Sequence, residues 1–213
     1  MYLFDRFRHF FATRDPDGKG RDWIVQHSLT EVEVFRRLDG KTVALVGNAR
    51  ALLETRQGGS IDAHDIVIRI NKAPGFGTDA TGFKLDWSAL ADKSPNDQTS
   101  TVLWLGRKVY KIPYRLMTSG RLFVYDQVRR NELSGDLSAR ASTGIMAVEL
   151  LLRSPARSVD LYGFDFYASR SLSGDHTIES TPHNYAEEEK WITARLADEP
   201  RLTLHRMGRG AAD

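Results

Sequence analysis

Cysteine is missing from all 213 residues, which removes disulfide staples and thiolate zinc sites and permits a reducing compartment. No apolar run approaches the roughly 18 residues needed to span a bilayer. The first residues lack the unbroken apolar core and small-residue cleavage site of a signal peptide, so the cytoplasm is the expected location. Charge of one sign is not in excess either. A formal net charge of +2 argues against a dedicated nucleic-acid binder, which would carry a basic cluster. Two phosphate-binding signatures are also absent. After Gly47 the next glycine is Gly58, so the dinucleotide fingerprint does not form, and no Gly-Lys-Ser/Thr loop occurs. That counts against an NAD(P)-dependent oxidoreductase, the main rival of another class; a non-catalytic nucleotide-binding protein is the second. What is present is ordinary for a soluble globular chain: 41% hydrophobic and 27% charged residues. The length suits one α/β domain with a substantial core and is short for two.

The stretch 41–87 organises the chain. Val43-Ala44-Leu45-Val46 is short, apolar and closed by Gly47, the profile of a buried parallel strand. Residues 49–54 hold good helix formers and no breaker, so a helix is expected just after Gly47-Asn48. A strand feeding a helix through a glycine turn gathers free backbone N–H groups and a positive helix end, which suits a phosphate. Residues 66–70 form a second buried strand with Asn71 at its end. Ligands of open α/β sheets bind beyond the carboxyl ends of the strands, so Gly47, Asn48 and Asn71 should converge on one crevice. A plain turn at Gly47-Asn48 would also satisfy the pattern.

Elsewhere the chain divides as 1–40, an N-terminal helical segment, and 41–213, an α/β domain. Leu3, Phe4, Phe7, Phe10 and Phe11 recur at helical spacing among Asp5, Arg6, Arg8 and His9. Such a stripe either packs on protein or lies in a membrane interface through residues 1–14. Asp15-Pro16-Asp17 sits among Pro and Gly and is expected to be a turn, not a metal-binding Asp-x-Asp. Residues 22–38 look helical, with Asp39-Gly40 as the closing cap. Further strands are expected at 102–105, 122–125, 158–164 and 202–204, and helices at 126–132, 145–153 and 187–196. Residues 111–115 and 134–141 should be loops. Ser142 or Thr143 fits an N-cap, and that helix end with Gly144 either is a simple cap or faces the crevice. The long polar loop 167–185 has the character of a lid or binding loop and holds His176 and His183. With Asp175 and Glu179 these histidines invite a metal hypothesis, yet no established zinc spacing is matched.

Several of these stretches together resemble one family, the sialyltransferases of animal Golgi membranes and their bacterial relatives. The family's long motif resembles residues 43–71, opening on Val43-Ala44-Leu45-Val46-Gly47-Asn48 and closing on Ile68-Arg69-Ile70-Asn71. Its short motif resembles residues 142–164, from Ser142-Thr143-Gly144 to Tyr162-Gly163-Phe164. His176 with Glu179 answers to its third motif, and His183 with Glu188 to its last, His-x-x-x-x-Glu. The order and spacing agree from about residue 41 to residue 190.

The resemblance implies a Rossmann-like α/β fold of GT-A-type (variant) with a mostly parallel sheet, and a donor of the CMP-sugar class. Asn48 and Asn71 would contact phosphate and ribose. Ser142, Thr143 and Gly144 would help to hold the nucleotide, with Gly47 and Gly163 among the binding positions. His183 would be the general base and His176 would stabilise the departing phosphate, while Glu188 is expected to be structural. The chemistry suits these types: a phosphate leaving group needs donors, and an imidazole can take a proton from a hydroxyl near neutral pH. The implied reaction is inverting transfer of sialic acid, or of Kdo, to a glycan or glycolipid, with no metal and no cofactor. A surface polysaccharide acceptor, and a place at the inner membrane face, are expectations of the same kind.

The departures are specific. The animal enzymes join the long and short motifs by a disulfide, whereas the equivalent positions here are Val43 and Ala156. On this resemblance the family's membrane-spanning anchor and stem are expected to be missing as well. Thr177 and Ile178 stand where aromatics should follow His176, and Ala141 replaces the proline before Ser-Thr-Gly.

Overall fold

The computed structural model describes residues 19–71, 75–92, 99–169, 171–172 and 181–207. The N-terminal aromatic stripe, Asp15-Pro16-Asp17, and Asp175, His176 and Glu179 lie outside the described residues. No described helix is long and apolar enough to cross a membrane.

Among the described residues seven parallel strands form one sheet, in the order β5-β4-β3-β2-β1-β6-β7. They are β1 Thr42–Val46, β2 Ile66–Ile70, β3 Trp87–Leu90, β4 Thr101–Trp104, β5 Leu122–Val124, β6 Ser158–Tyr162 and β7 Leu202–Leu204. The helices are α1 Lys19–Gln26, α2 Glu31–Leu38, α3 Gly58–Asp62, α4 Tyr114–Met117, α5 Gln127–Asp136, α6 Thr143–Arg153 and α7 Tyr185–Asp198.

Alternation along the strands sends side chains to the two faces of the sheet. Val43 and Leu45, with Ile66, Ile68 and Ile70, meet Val34 and Leu38 of α2, Leu133 of α5, the apolar face of α6 and Ile192 of α7. Ala44, Val46, Val67 and Tyr162 turn the other way, onto Leu52 and Ile61. Beneath the β3–β5 side, Ile24 of α1 and Leu116 and Met117 of α4 cover Leu90, Val102, Trp104 and Val124. The result is a three-layer α/β sheet. Chain order reverses between β1 and β6, and that switch point opens a crevice at the carboxyl ends.

Four local expectations change. Residues 22–38 form two helices, because Leu29 leaves the helix to bridge Phe123, with its N–H on Leu122 O at 2.6 Å. Thr30 then starts α2 with a reciprocal Thr30–Glu33 capping box. After Gly47-Asn48 there is no α-helix but a 3₁₀ turn, Arg50–Glu54. Ala49 N–H is held by Gly163 O at 3.2 Å and Leu172 N–H by Asn48 O at 2.8 Å, so this backbone is tied sideways to the β6 exit and the later loop. Strand β3 had no expectation attached to it. Its Ser88 breaks the apolar run, but the hydroxyl finds Ser100 Oγ at 3.1 Å and the position is buried. Finally, residues 111–115 include helical turns, with Pro113 as N-cap of α4, and α5 runs through to Asp136.

Arg69 is a cation inside a strand core. It is 2% exposed; its Nε–H donates to Lys84 O at 2.8 Å and the guanidinium lies 4.7 Å from the Phe76 ring centre. Burial lowers its pKa to about 10, against the pull of Asp62 and Asp86. It ties the loop after β2 under the sheet.

Candidate active site

Three of the glycines at the switch point are there for close approach. A Cβ at Gly47 would stand 2.4 Å from Gly163 O, so the exits of β1 and β6 touch backbone to backbone. Gly163 itself has φ +68°, the left-handed region that glycine enters at no steric cost. At Gly144 a Cβ would come 3.1 Å from the Phe164 ring, so α6 packs its first turn directly on the β6 exit. Asn71, at the end of β2, has φ 57° with its N–H on Ala89 O at 2.8 Å. Asn is one of the few residues that accept this conformation.

Ser142 caps α6, its Oγ accepting from Ile145 N–H at 3.3 Å. The cap is held in turn by Glu188 of α7. One Glu188 oxygen accepts the Ser142 N–H and the other accepts its hydroxyl, each at 2.8 Å. Glu188 is 4% exposed, and burial pushes its carboxyl up to about 7 against both bonds from Ser142. The amides of Thr143 and Gly144 belong to the first helical turn, where no intrahelical acceptor exists. They sit at the positive end of an 11-residue helix.

These elements enclose a cavity of about 160 Å³. Gly47, Asn48, Asn71, Ser142, Thr143, Gly144, Gly163 and His183 all line it. Of the expected site residues, the structure thus brings together all that it describes. A second cavity of about 420 Å³ adjoins it, and Asn71, Thr143, Tyr167, Ser171, His183 and Tyr185 border both. Together they reach the volume of a small-molecule site.

His183 stands on that border. Its Nδ1 lies 2.7 Å from Arg140 O. A carbonyl only accepts, so Nδ1 carries the proton and Nε2 is the nitrogen able to accept one. Burial, joined by the Arg140 charge, holds the imidazole pKa below the usual histidine value, although the Arg140 carbonyl pulls it up. Burial thus favours the uncharged ring.

Several lining residues carried no expectation. Asp165, just past the β6 exit, accepts from Tyr167 N–H at 3.1 Å, from Ser169 N–H at 2.7 Å and from the Ser169 hydroxyl. These bonds hold Phe166 and Tyr167 at φ 52° and 73°, positions that cost about 1–3 kcal/mol each in isolation. The turn brings Tyr167 onto Tyr185, ring centres 4.7 Å apart and planes 20° from parallel. The signal available was positional: a polar residue directly after a strand, and an aromatic two residues beyond His183. No group of three or more His, Asp or Glu able to hold a metal exists among the described residues.

The architecture has known counterparts. A crystal structure of a mammalian sialyltransferase superposes with a TM-score of 0.63 at 22% identity, covering 84% of this chain and 78% of that one. A mammalian sialyltransferase in complex with Gal-beta-1-3GalNAc-ortho-nitrophenol gives 0.67 at 19% identity, over 98% and 87%. The fold is therefore that of a sialyltransferase. Residues 22–86 match the model of glycosyltransferase family 29 (sialyltransferase), the part of the chain that supplies Gly47, Asn48 and Asn71. The family match thus covers residues 22–86 of the 213, and the solved structures add a likeness of fold over most of the chain. No curated protein matches it.

Proposed function

We propose that the protein is an inverting glycosyltransferase of GT-A-type (variant) fold, moving sialic acid from CMP-sialic acid to a hydroxyl of a glycan or glycolipid. The observation that carries this reading is His183, on the border of two cavities with its Nδ1 fixed by Arg140 O, where burial favours the uncharged imidazole. The donor occupies the smaller cavity, its phosphate at the first turn of α6 and beside Asn48 and Asn71. The acceptor enters through the larger one. Its hydroxyl oxygen attacks the anomeric carbon from the face opposite the phosphate while Nε2 of His183 takes the proton. The bond to CMP breaks with its electron pair on the phosphate, whose charge is met by the Thr143 and Gly144 amides. The step inverts the anomeric centre, and no part of it is assigned to a metal.

Glu188 has a positioning role in this scheme. It fixes Ser142, and through Ser142 the start of α6. The test is a thermal-shift panel of CMP, UMP, AMP and NAD at saturation. At about 100 times its dissociation constant a ligand adds roughly 2.7 kcal/mol to the folded state. The expected result is stabilisation by CMP alone, followed by turnover of CMP-sialic acid in preference to CMP-Kdo. Stabilisation by NAD alone would instead make the chain an oxidoreductase on a similar sheet.

A further inference from the structure

The larger cavity is lined by four cationic side chains, Arg107, Lys108, Arg130 and Arg140, against one carboxylate, Asp92, on a chain whose 30 basic and 28 acidic residues nearly balance. Arg107 and Lys108 enter it from the exit of β4, and Arg140 from the connection between α5 and α6. All three are exposed, and among the described residues none of them lies within ion-pair distance of a carboxylate. Asp92, the acidic residue of the wall, is 3.6 Å from Lys111 instead.

The β4 exit is built to hold its two cations in place. Buried Arg130 donates to Leu105 O at 3.1 Å, Gly106 O at 3.5 Å and Tyr125 O at 3.2 Å, and so fixes the turn from beneath. A Cβ at Gly106 would stand 1.5 Å from Ala91 O, so the turn is pressed against the β3 exit and only glycine fits. Cations crowded in a concavity repel one another and focus a field that favours an anion. Arg and Lys donors make their strongest hydrogen bonds to carboxylates and phosphates.

We propose, resting on the transferase reading above, that the acceptor is an acidic glycan. Its carboxylate is held by Arg107, Lys108 and Arg140 while its hydroxyl lies at Nε2 of His183. A carboxylate could also come from the donor sugar. The donor's nucleotide end belongs in the smaller cavity, whereas Arg107, Lys108 and Arg140 line only the larger one.

The test uses the full chain, the double variant Arg107→Gln/Lys108→Gln, and Arg140→Gln, which keeps the carbonyl that fixes His183. Matched probes are lactose with sialyllactose, and digalactose with digalacturonate. Binding is measured with and without added salt, and KM for donor and acceptor where turnover occurs. A CMP thermal shift shows that each variant is folded. The wild type should prefer the acidic member of a pair by about tenfold or more, and the double variant and added salt should each bring the pair close to parity. Donor KM should not move. Equal binding of neutral and acidic probes by the wild type, or a preference that survives in the double variant, would overturn the proposal. A raised donor KM with acceptor preference intact would give the cations to the donor's carboxylate and overturn it as well. Loss of CMP binding by the wild type with acidic preference intact would instead sink the transferase reading, and the acceptor role with it.

Discussion

Two regions of the molecule treat their ionisable groups in opposite ways. In the crevice burial wins: His183 is pushed down and Glu188 up to about 7, so both move toward the uncharged form. On β6, a few residues before the crevice, burial also acts on Asp160, but hydrogen bonds outweigh it. His205 at 2.8 Å, His64 at 3.1 Å and Ser158 at 3.0 Å hold the Asp160 carboxyl below its ordinary value. Tyr162 completes this cluster, stacked on His205 at 4.1 Å with planes 6° apart. One histidine thus faces open space beside a helix N-terminus, while two others spend a ring nitrogen on a shared carboxylate. Residue type alone does not separate these two settings; the acceptor each ring meets does.

Breaking this contrast should give its largest effect at His183. His183→Ala is expected to lower transfer by about 10²–10⁴-fold with CMP affinity nearly unchanged, as read by single-turnover rates and calorimetry. His205→Ala should leave transfer per folded molecule unchanged. Gly47→Ala comes next, because its Cβ meets backbone at 2.4 Å rather than a movable side chain. A loss of about 1–3 kcal/mol together with weaker CMP binding is expected from chemical denaturation and titration.

Asp160→Asn should cost about 1–3 kcal/mol without changing transfer per folded molecule. Because the Asp160 pKa is lowered in the folded state, its stabilisation is complete above the ordinary aspartate value. It is lost as pH falls through the lower folded value, so the gap between wild type and variant should close in acid. Glu188 has the opposite sign. Its folded pKa is raised, so the wild type should lose stability as pH rises from about 4.5 to about 7, where Glu188→Gln should not. Melting temperatures across that window decide it. The smallest effect is expected at Gly59, a helical position with nothing within 4 Å of a Cβ. There Gly→Ala should gain roughly 0.5–1 kcal/mol.

The crevice was more legible than the frame that carries it. Gly47, Asn71, Ser142 and Gly163 each stand where a strand ends or a helix begins, and those ends are marked by local composition. The same local cues misled between residues 49 and 54. Helix formers are present, but long-range bonds to Gly163 and across to Leu172 hold the backbone in a 3₁₀ turn. Strand β3 was invisible for a related reason, since Ser88 is satisfied by a residue on another strand's approach. The stacked Tyr167–Tyr185 pair and the cations of the larger cavity come together from distant segments, so no local pattern announces them. His176 lies beyond the described residues, and its proposed role at the leaving phosphate rests on the family resemblance alone.

The central claim is that a neutral His183 takes the acceptor's proton, and the pH dependence of transfer tests it most directly. kcat/KM should be measured from about pH 5 to 8 in the wild type, and in Glu188→Gln so that the Glu188 titration does not contribute. With the His183 pKa held below the usual histidine value of about 6.5, the rate should stay level through neutrality. It should fall only below that value, and the fall should vanish from the residual rate of His183→Ala. A midpoint above 6.5 in both proteins, or the same acid limb in His183→Ala, would contradict the account.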